Sequence, residues 1–360
     1  MFKQKFRKIY ILSVYRKTGG PRSIHQLGYR LMERGFDVYI YYCSRFKRLN
    51  VKEPLYDDLP IKIAATIEDN SSNLVIMPEI RAGWIRKFKN INIFIWWLSL
   101  DFYLQNSIIW SAQKRSIIYE NSISYNYIYS SYKILRSRIK GIFSLRPELN
   151  TLLNQAELKR LYHLYNCDYE KYFLLANSVP EKRMHYLCGP IDKKFMEIDE
   201  NRIIETKRNI VAYNPAKVRR ELIDRIINCV KQRESNVEFI PIENMSLYEV
   251  ADSLKEAKVY LDLGFFPGPE RMPREAVMSY CCIITSIEGA AANNADVPIP
   301  DDFKFDAKLE NSENIANKVV DSIRNYKSLI RRFDVYRDKV EEQICRFDKD
   351  IVEIFEGNFY

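Results

Sequence analysis

Short apolar runs alternate with longer amphipathic stretches from the start of the chain. Residues 8–14 (KIYILSV) are rich in β-branched and aromatic side chains, and residues 36–43 (FDVYIYYC) form a second apolar run. Between them, residues 23–35 space their apolar positions as a helix does, and Gly35 is placed to end that helix. The order strand, helix, strand predicts a βαβ unit with the loop at 18–21 at the carboxyl end of its first strand.

The same alternation continues along the chain and returns after residue 205. Apolar runs predict further strands at 74–77, 91–95, 207–213, 237–242, 257–264 and 281–286, and helical spacing predicts helices at 219–233, 246–257 and 273–280. Ser246 is a predicted N-cap. Residues 107–154 indicate helices and loops, and residues from 312 onward are mostly helical and charged.

This pattern predicts an α/β protein made of two Rossmann-like domains with a cleft between them. A chain of 360 residues is long enough for two cores, since domains usually have ~100 to 200 residues. We place the first domain at 1–190 and the second at 191–335, and we expect a closing helix at 336–360 to pack back towards the first domain.

The composition of the chain leaves several classes of binding partner open. The formal charge of +9 is compatible with nucleic acid, an anionic membrane or a phosphate-rich ligand. No apolar run reaches the ~20 residues of a membrane-spanning helix, so a cytoplasmic location is expected. The basic and aromatic residues of 132–146 favour peripheral contact with an anionic membrane, with a plain solvated helix as the alternative; no nucleic-acid module is recognisable.

Neither a metal nor another cofactor is expected. The seven cysteines lack CxxC pairs, and a disulfide framework is not predicted. A DxD triplet of the kind that holds Mg²⁺ or Mn²⁺ occurs only as Asp348-Lys349-Asp350, far from any glycine loop, and is interpreted as a solvated helix face.

Candidate chemistry in the first domain follows its strands. Gly19 and Gly20 allow a ligand close to the backbone at a helix start, although GxGxxG is absent and a tight turn is the alternative. His25, on the following helix, is a candidate site residue or a structural histidine. Glu79 and Asp101, each after a predicted strand, are candidates to orient a substrate hydroxyl or take its proton. The clusters that contain these residues, at 77–79 and 96–101, have two interpretations. In one, Trp96 and Trp97 stack on a sugar face; in the other, the aromatic residues belong to the core and the carboxylate is a cap.

The second domain carries two further candidates. Asn214 and Lys217 lie in YNPAK at the end of a strand, where a lysine can neutralise a departing diphosphate; a solvated turn lysine is the alternative. The run 262–306 has a Gly/Pro loop, a helix start and a second small-residue loop at 288–294. Its arginines suit phosphates and its carboxylates suit ribose hydroxyls, unless they only decorate a surface helix. The residues concerned are Glu270, Arg271, Arg274 and Glu275.

The segment PGPERMPREAVMSYCCII, at 267–284, resembles the donor-binding segment of retaining GT-B glycosyltransferases, and in particular bacterial capsule and lipopolysaccharide transferases. The resemblance implies that Glu275 binds the donor ribose, that Lys217 and a loop arginine bind the phosphates, and that residues 240–242, including Ile242, line the base pocket. Two positions depart from the family: the first glutamate of its paired motif falls at Pro267, and the arginine before the phosphate lysine falls at Tyr213.

The expected function is therefore metal-independent transfer of a sugar from a nucleotide donor to a hydroxyl of a polysaccharide, oligosaccharide or lipid-linked acceptor, with retention of configuration. One alternative is a nucleotide-sugar epimerase or hydrolase of the same fold. The other is a basic, non-catalytic protein that binds polysaccharide or membrane.

Overall fold

The computed structural model describes residues 6–15, 18–43, 56, 58–119, 122–143, 152–197 and 199–357. These residues form two compact units, one that runs to Gly189 and includes the residues from Phe347 onward, and one that spans Pro190–Arg346. Each unit is built around a parallel sheet, which confirms the predicted α/β class with two Rossmann-like domains.

The first unit contains a parallel sheet of seven strands within its described ranges, in the order β3-β2-β1-β4-β5-β6-β7. The strands are β1 Ile9–Ser13, β2 Val38–Tyr42, β3 Lys62–Ile63, β4 Leu74–Pro78, β5 Asn92–Trp97, β6 Tyr162–Tyr165 and β7 Met184–Tyr186. The helices are α1 Gly19–Glu33, α2 Leu100–Leu104, α3 Ile108–Tyr119, α4 Ile123–Phe143, α5 Gln155–Arg160 and α6 Asp168–Ala176, with 3₁₀ helices at Glu79–Lys87 and Glu181–Arg183.

The second unit contains a five-stranded parallel sheet in the order β12-β11-β10-β8-β9. Its strands are β8 Arg208–Tyr213, β9 Glu238–Pro241, β10 Ala257–Asp262, β11 Cys282–Ser286 and β12 Lys304–Phe305. Its helices are α7 Glu200–Thr206, α8 Arg220–Arg233, α9 Leu247–Glu256, α10 Arg271–Met278, α11 Ser312–Arg324, α12 Tyr326–Leu329 and the start of α13 Asp334–Glu356. Short 3₁₀ helices lie at Lys193–Phe195, Gly289–Ala292, Asp301–Phe303, Leu309–Asn311 and Ile330–Phe333.

Local chemistry explains where several helices begin and end. Ser246 caps α9 as predicted, in a capping box in which its side chain accepts the Glu249 N–H and Glu249 accepts the Ser246 N–H. After α1 the chain turns at Gly35, which has a φ of 84° that glycine adopts without strain. In α13, Phe347, Ile351 and the residues after them pack into the core of the first unit.

Four features differ from the sequence-based expectations. The glycines at 19 and 20 begin α1 rather than lying in a loop before it. Trp96 and Trp97 complete β5 and are fully buried, so both are core residues and not a platform for a sugar. Asp350 is also buried, so the terminal DxD triplet is not wholly solvated. Strands β3, β6, β7 and β12 were not expected. Of the predicted basic segment 132–146, residues 144–146 lie outside the described ranges.

None of the helices in the described ranges is long and apolar enough to cross a membrane.

Candidate functional site

The order of strands in the second unit defines where a ligand crevice forms. From β8 the chain proceeds to β9 on one side of the sheet, and then to β10, β11 and β12 on the other. In an open parallel sheet, such a reversal separates the loops that follow the two adjacent strands and leaves a crevice at their carboxyl ends. Here the adjacent strands are β8 and β10, which end at Tyr213 and Asp262.

Lys217 projects into this position from the loop after β8. Its Nζ donates to Glu270 Oε2 at 2.7 Å and to the Phe265 carbonyl at 3.1 Å, and it lies 3.8 Å from Asp262 Oδ2. Burial alone would lower the pKa of Lys217, but the carboxylates of Asp262 and Glu270 outweigh burial and raise it. The ammonium therefore stays charged and is held between two loops.

The approach of the two loops depends on Gly264, directly after β10. A Cβ at this residue would lie 2.4 Å from Lys217 Cβ and 2.6 Å from the Lys217 carbonyl oxygen. No other residue fits there unless the backbone of the lysine loop moves. Gly264 thus fixes the position of Lys217 relative to Asp262.

The start of α10 holds a second charged group around Arg271. Its guanidinium donates to Asp192 Oδ2 at 2.9 Å, to the Pro190 carbonyl at 3.0 Å and, at 3.3 Å, to Glu275 Oε1. Burial raises the pKa of Glu275, and the Arg271 charge opposes that shift only in part. Arg271 therefore orients a buried carboxyl, Glu275, one turn into the helix.

The other predicted donor-binding residues of the second unit are less exposed than a surface helix would make them. Arg274 is buried and donates to the Glu270 carbonyl and to Gln343 Oε1, both at 3.4 Å. Asn214 accepts the Ala216 N–H at 3.1 Å and so shapes the lysine loop. Ile242, just after β9, is partly buried and its N–H donates to the Tyr213 carbonyl at 2.8 Å.

We call this site the β8–β10 site, and its positive and negative charges nearly cancel. The cations are Lys217, Arg271 and Arg274, and the carboxyl groups are those of Asp192, Asp262, Glu270 and Glu275. Burial raises the pKa of Glu270, with Lys217 opposing the shift, so proton uptake by this carboxyl would make the site neutral. Cations fixed on a loop and at a helix start, beside carboxyl acceptors, are the groups that phosphate and ribose hydroxyls require.

Sequence reasoning missed two members of this site. Asp262 was recognised only as the start of a run, although a carboxylate at the end of a buried strand beside the point of reversal is a usable signal. Asp192 precedes Arg271 by 79 residues and lies in a stretch without regular hydrophobic pattern, so no signal in the sequence pointed to it.

In the first unit, Glu79 lies at the carboxyl end of β4, next to the reversal between β1 and β4. It is buried, and Oε2 accepts the Leu98 N–H at 2.9 Å. Burial raises the pKa of Glu79 to about 8, with the backbone hydrogen bonds opposing the shift. At pH 7 the group is mostly a neutral acid, so in this state it donates a proton rather than taking one from a hydroxyl.

The remaining candidates of the first unit are held by protein contacts. Asp101 is buried and its Oδ1 accepts the Tyr169 hydroxyl at 2.8 Å. His25 is fully buried; its ring nitrogens lie 2.6 Å from the Pro21 carbonyl and 2.8 Å from the Tyr42 hydroxyl. This placement favours the structural interpretation of His25, and we do not assign it a chemical role.

Gly19 and Gly20 lie in the first turn of α1, after the N-cap Thr18. A Cβ at Gly20 would make only an ordinary contact of 3.6 Å with Leu98 Cδ1. The structure therefore does not require glycine at residue 20 for packing, and a ligand-related role for the pair stays a prediction.

Comparison with known proteins finds similarity in structure alone. A scan against protein-family profiles finds no match, and neither does a search of curated protein sequences. Among solved structures, HepE of Anabaena in complex with UDP-glucose aligns with a TM-score of 0.60 at 11% identity, over 98% of this chain and 100% of that chain.

Two further solved structures have the same architecture. WaaG, a glycosyltransferase involved in lipopolysaccharide biosynthesis, aligns with a TM-score of 0.56 at 13% identity, over 98% of this chain and 100% of that one. WaaB, a lipopolysaccharide outer core galactosyltransferase, aligns with a TM-score of 0.53 at 12% identity, over 96% and 98% of the two chains. At such low identity the likeness concerns the fold: the chain has the GT-B fold.

Proposed function

We propose that this protein is a glycosyltransferase that takes a sugar from a nucleotide donor bound in the β8–β10 site of its second unit. The observation that carries the proposal is the fixed ammonium of Lys217, held by Glu270, Asp262 and the Phe265 carbonyl at the reversal point of a parallel sheet. The GT-B fold supports it, since fold neighbours include HepE in complex with UDP-glucose.

Each group in the site has a task in this proposal. Lys217 neutralises the diphosphate as it leaves, and Arg271 contributes positive charge from the start of α10. Glu275 accepts hydrogen bonds from the ribose hydroxyls, and residues 240–242 pack against the base. Because ammonium and guanidinium groups supply the positive charge, we expect transfer without a metal ion and therefore full activity in excess EDTA. Retention of configuration is part of the proposal and rests on the family resemblance.

The first unit would receive the acceptor. Glu79 and Asp101 follow β4 and β5 at the carboxyl edge of its sheet, the edge where parallel sheets bind ligands. With its raised pKa, Glu79 suits the task of holding an acceptor hydroxyl by donating a hydrogen bond. We propose a hydroxyl of a polysaccharide, an oligosaccharide or a lipid-linked sugar as the acceptor, and the cytoplasm beside the inner face of the membrane as the location.

The direct test is a thermal-shift screen against UDP, GDP, CMP and ADP and their sugars. A ligand at 100 times its Kd stabilises the folded state by about 2.7 kcal/mol, which raises the melting temperature by several degrees. Lys217→Ala and Glu275→Ala are expected to abolish this shift. The matched control is Lys231→Ala, which removes an exposed lysine from α8 and is expected to keep the shift.

Transfer is then measured with the nucleotide sugar that binds. We expect glycosylated acceptor to accumulate. NMR follows the reaction and reads the anomeric configuration of the product directly. Free sugar or an epimer produced from the donor alone would favour the hydrolase or epimerase alternative. If none of the nucleotides or nucleotide sugars raised the melting temperature, the proposal would be contradicted, and the non-catalytic binding protein would be the favoured alternative.

A further inference from the structure

Helix α4 buries two of its polar side chains and exposes a row of apolar ones. Asn126 and Ser130, one turn apart, are buried. On the opposite face, Tyr125, Ile128, Tyr132 and Leu135 are 61%, 70%, 60% and 58% exposed. Helices of globular proteins normally place apolar side chains towards the core and polar ones towards water. The arrangement in α4 is the reverse and indicates that its outer face meets an apolar partner.

The outward residues form one continuous stripe. Tyr125, Ile128, Tyr132 and Leu135 are spaced i, i+3, i+7 and i+10, which places them in a line along one side of a helix. Phe102 and Ile109, in α2 and α3, are exposed as well. We call the four residues of α4 the α4 stripe. Such a patch is larger than the isolated apolar side chains that ordinary surfaces carry.

The charge of the surrounding segment selects among apolar partners. Residues 102–143 contain six basic residues and one acidic residue, so this part of the chain carries a net +5 of the total of +9. Within the stripe's own turns, Lys133 and Arg136 are exposed. On α3, the Arg115 guanidinium lies 4.0 Å from the ring centroid of Tyr129, which places a cation beside the same helix.

We propose that the α4 stripe is a docking surface for an anionic lipid bilayer. Tyrosine rings with a polar tip suit the headgroup level, isoleucine and leucine reach the acyl boundary, and lysine and arginine meet the anionic headgroups. The sequence alone favoured membrane contact through 132–146; the structure assigns the apolar part of that contact to a face that begins at Tyr125. This inference does not depend on the function proposed for the second unit.

A second copy of the chain is a poorer occupant of the stripe. The segment is strongly basic, so two copies placed face to face would repel each other. The stripe is also about 15 Å long, at 1.5 Å per residue, which is short for the ~1,200 Å² that stable interfaces bury. An anionic bilayer has neither difficulty, because it offers opposite charge and needs no matching shape.

The test measures binding of the full-length protein to vesicles by flotation. We expect binding to phosphatidylcholine vesicles containing 30% phosphatidylglycerol, and at least tenfold weaker binding to phosphatidylcholine alone, since each basic residue near an anionic surface contributes roughly fivefold. The double variant Ile128→Gln with Leu135→Gln should weaken binding to the anionic vesicles by at least tenfold, because it removes two exposed apolar side chains that the bilayer would bury. Glutamine keeps helix propensity, so the fold should persist.

The matched control is Tyr248→Gln with Val335→Gln, which removes two exposed apolar residues of the second unit, 73% and 64% exposed, and should bind vesicles as the wild type does. Nucleotide-dependent thermal shifts of both double variants show whether the fold and the donor site are intact, and separate a failure of docking from a failure of the proposed function. Equal binding of the α4 variant and the wild type to anionic vesicles would overturn the proposal. So would a wild-type dimer in solution that the α4 double variant converts to monomers.

Discussion

Replacing Glu270 with glutamine tests the electrostatics of the β8–β10 site. Glu270 Oε2 lies 2.7 Å from Lys217 Nζ. The carboxylate therefore already pairs with the ammonium that we assign to the donor diphosphate. Binding the nucleotide requires that this carboxyl either takes up a proton or moves away from the lysine. Glu270→Gln removes the negative charge, keeps the shape, and leaves Asp262 to hold Lys217.

The size of the effect follows from the charges. One carboxylate about 5 Å from one phosphate charge opposes it by about 3 kcal/mol at an effective dielectric constant of about 20. Burial raises the pKa of Glu270, so the wild-type carboxyl can relieve part of this repulsion by taking up a proton when the nucleotide binds. We therefore expect UDP to bind Glu270→Gln about tenfold more tightly at pH 7, a gain of about 1.4 kcal/mol.

Isothermal titration with UDP from pH 5.5 to 8.5 measures this difference. The advantage of the variant should grow as pH rises through the raised pKa of the wild-type carboxyl, because its ionisation adds a negative charge that glutamine lacks. The ionisation of UDP itself cancels in the comparison. The control, Glu310→Gln, changes an exposed glutamate and should leave the Kd unchanged. Weaker binding by Glu270→Gln at every pH would refute the reasoning and make Glu270 a direct ligand of the nucleotide.

Three further predictions concern stability and packing. Burial raises the folded-state pKa of Glu79 to about 8 from an ordinary 4.5, so the free energy of unfolding of the wild type should fall as pH rises between those values. In urea unfolding over that range, Glu79→Gln should become more stable relative to the wild type by roughly 4 kcal/mol. Parallel pH profiles of the two proteins would contradict this. The buried Lys207 ammonium donates to three backbone carbonyls at 2.6 to 2.7 Å, so Lys207→Met should lower the free energy of unfolding by about 2–4 kcal/mol, and a loss under 1 kcal/mol would count against that role. Gly264→Ala should push the Lys217 loop aside and weaken UDP binding at least tenfold, about 1.4 kcal/mol; a Kd equal to that of the wild type would be the contrary result.

Much of the fold was predictable because its elements carry strong local patterns. β8, α8, β9, α9, β10, α10 and β11 each coincide with an apolar run or a helical spacing, and α9 also has the N-cap that Ser246 predicted. β6 and β7 escaped prediction because they have four and three residues and mix polar with apolar side chains. Elements this short derive their structure from the neighbouring strand, a contact that local sequence does not encode.

The candidate site was predictable only where chemistry follows a strand. Lys217, Glu270, Arg271 and Glu275 stand after strands or at a helix start, and the structure brings them to one edge of one sheet. The partners that hold them come from elsewhere in the chain, as Asp192 does for Arg271.

The same position after a strand was a poor guide to burial. Trp96 and Trp97 follow the run that predicted β5 just as Asp101 does, but the strand continues through both indoles. Trp96 donates to Asn166 Oδ1 at 2.9 Å and Trp97 to His163 Nδ1 at 3.0 Å, partners from a later part of the chain. Tertiary contacts, which no local pattern encodes, decided that these residues belong to the core.

Whether the β8–β10 site binds a nucleoside diphosphate is tested most directly by a crystal structure with UDP bound. We expect diphosphate oxygens within hydrogen-bonding distance of Lys217 Nζ, Glu270 displaced from or protonated beside that ammonium, and the ribose hydroxyls on Glu275. Density for UDP at any other place, with the Lys217–Glu270 pair unchanged, would contradict it.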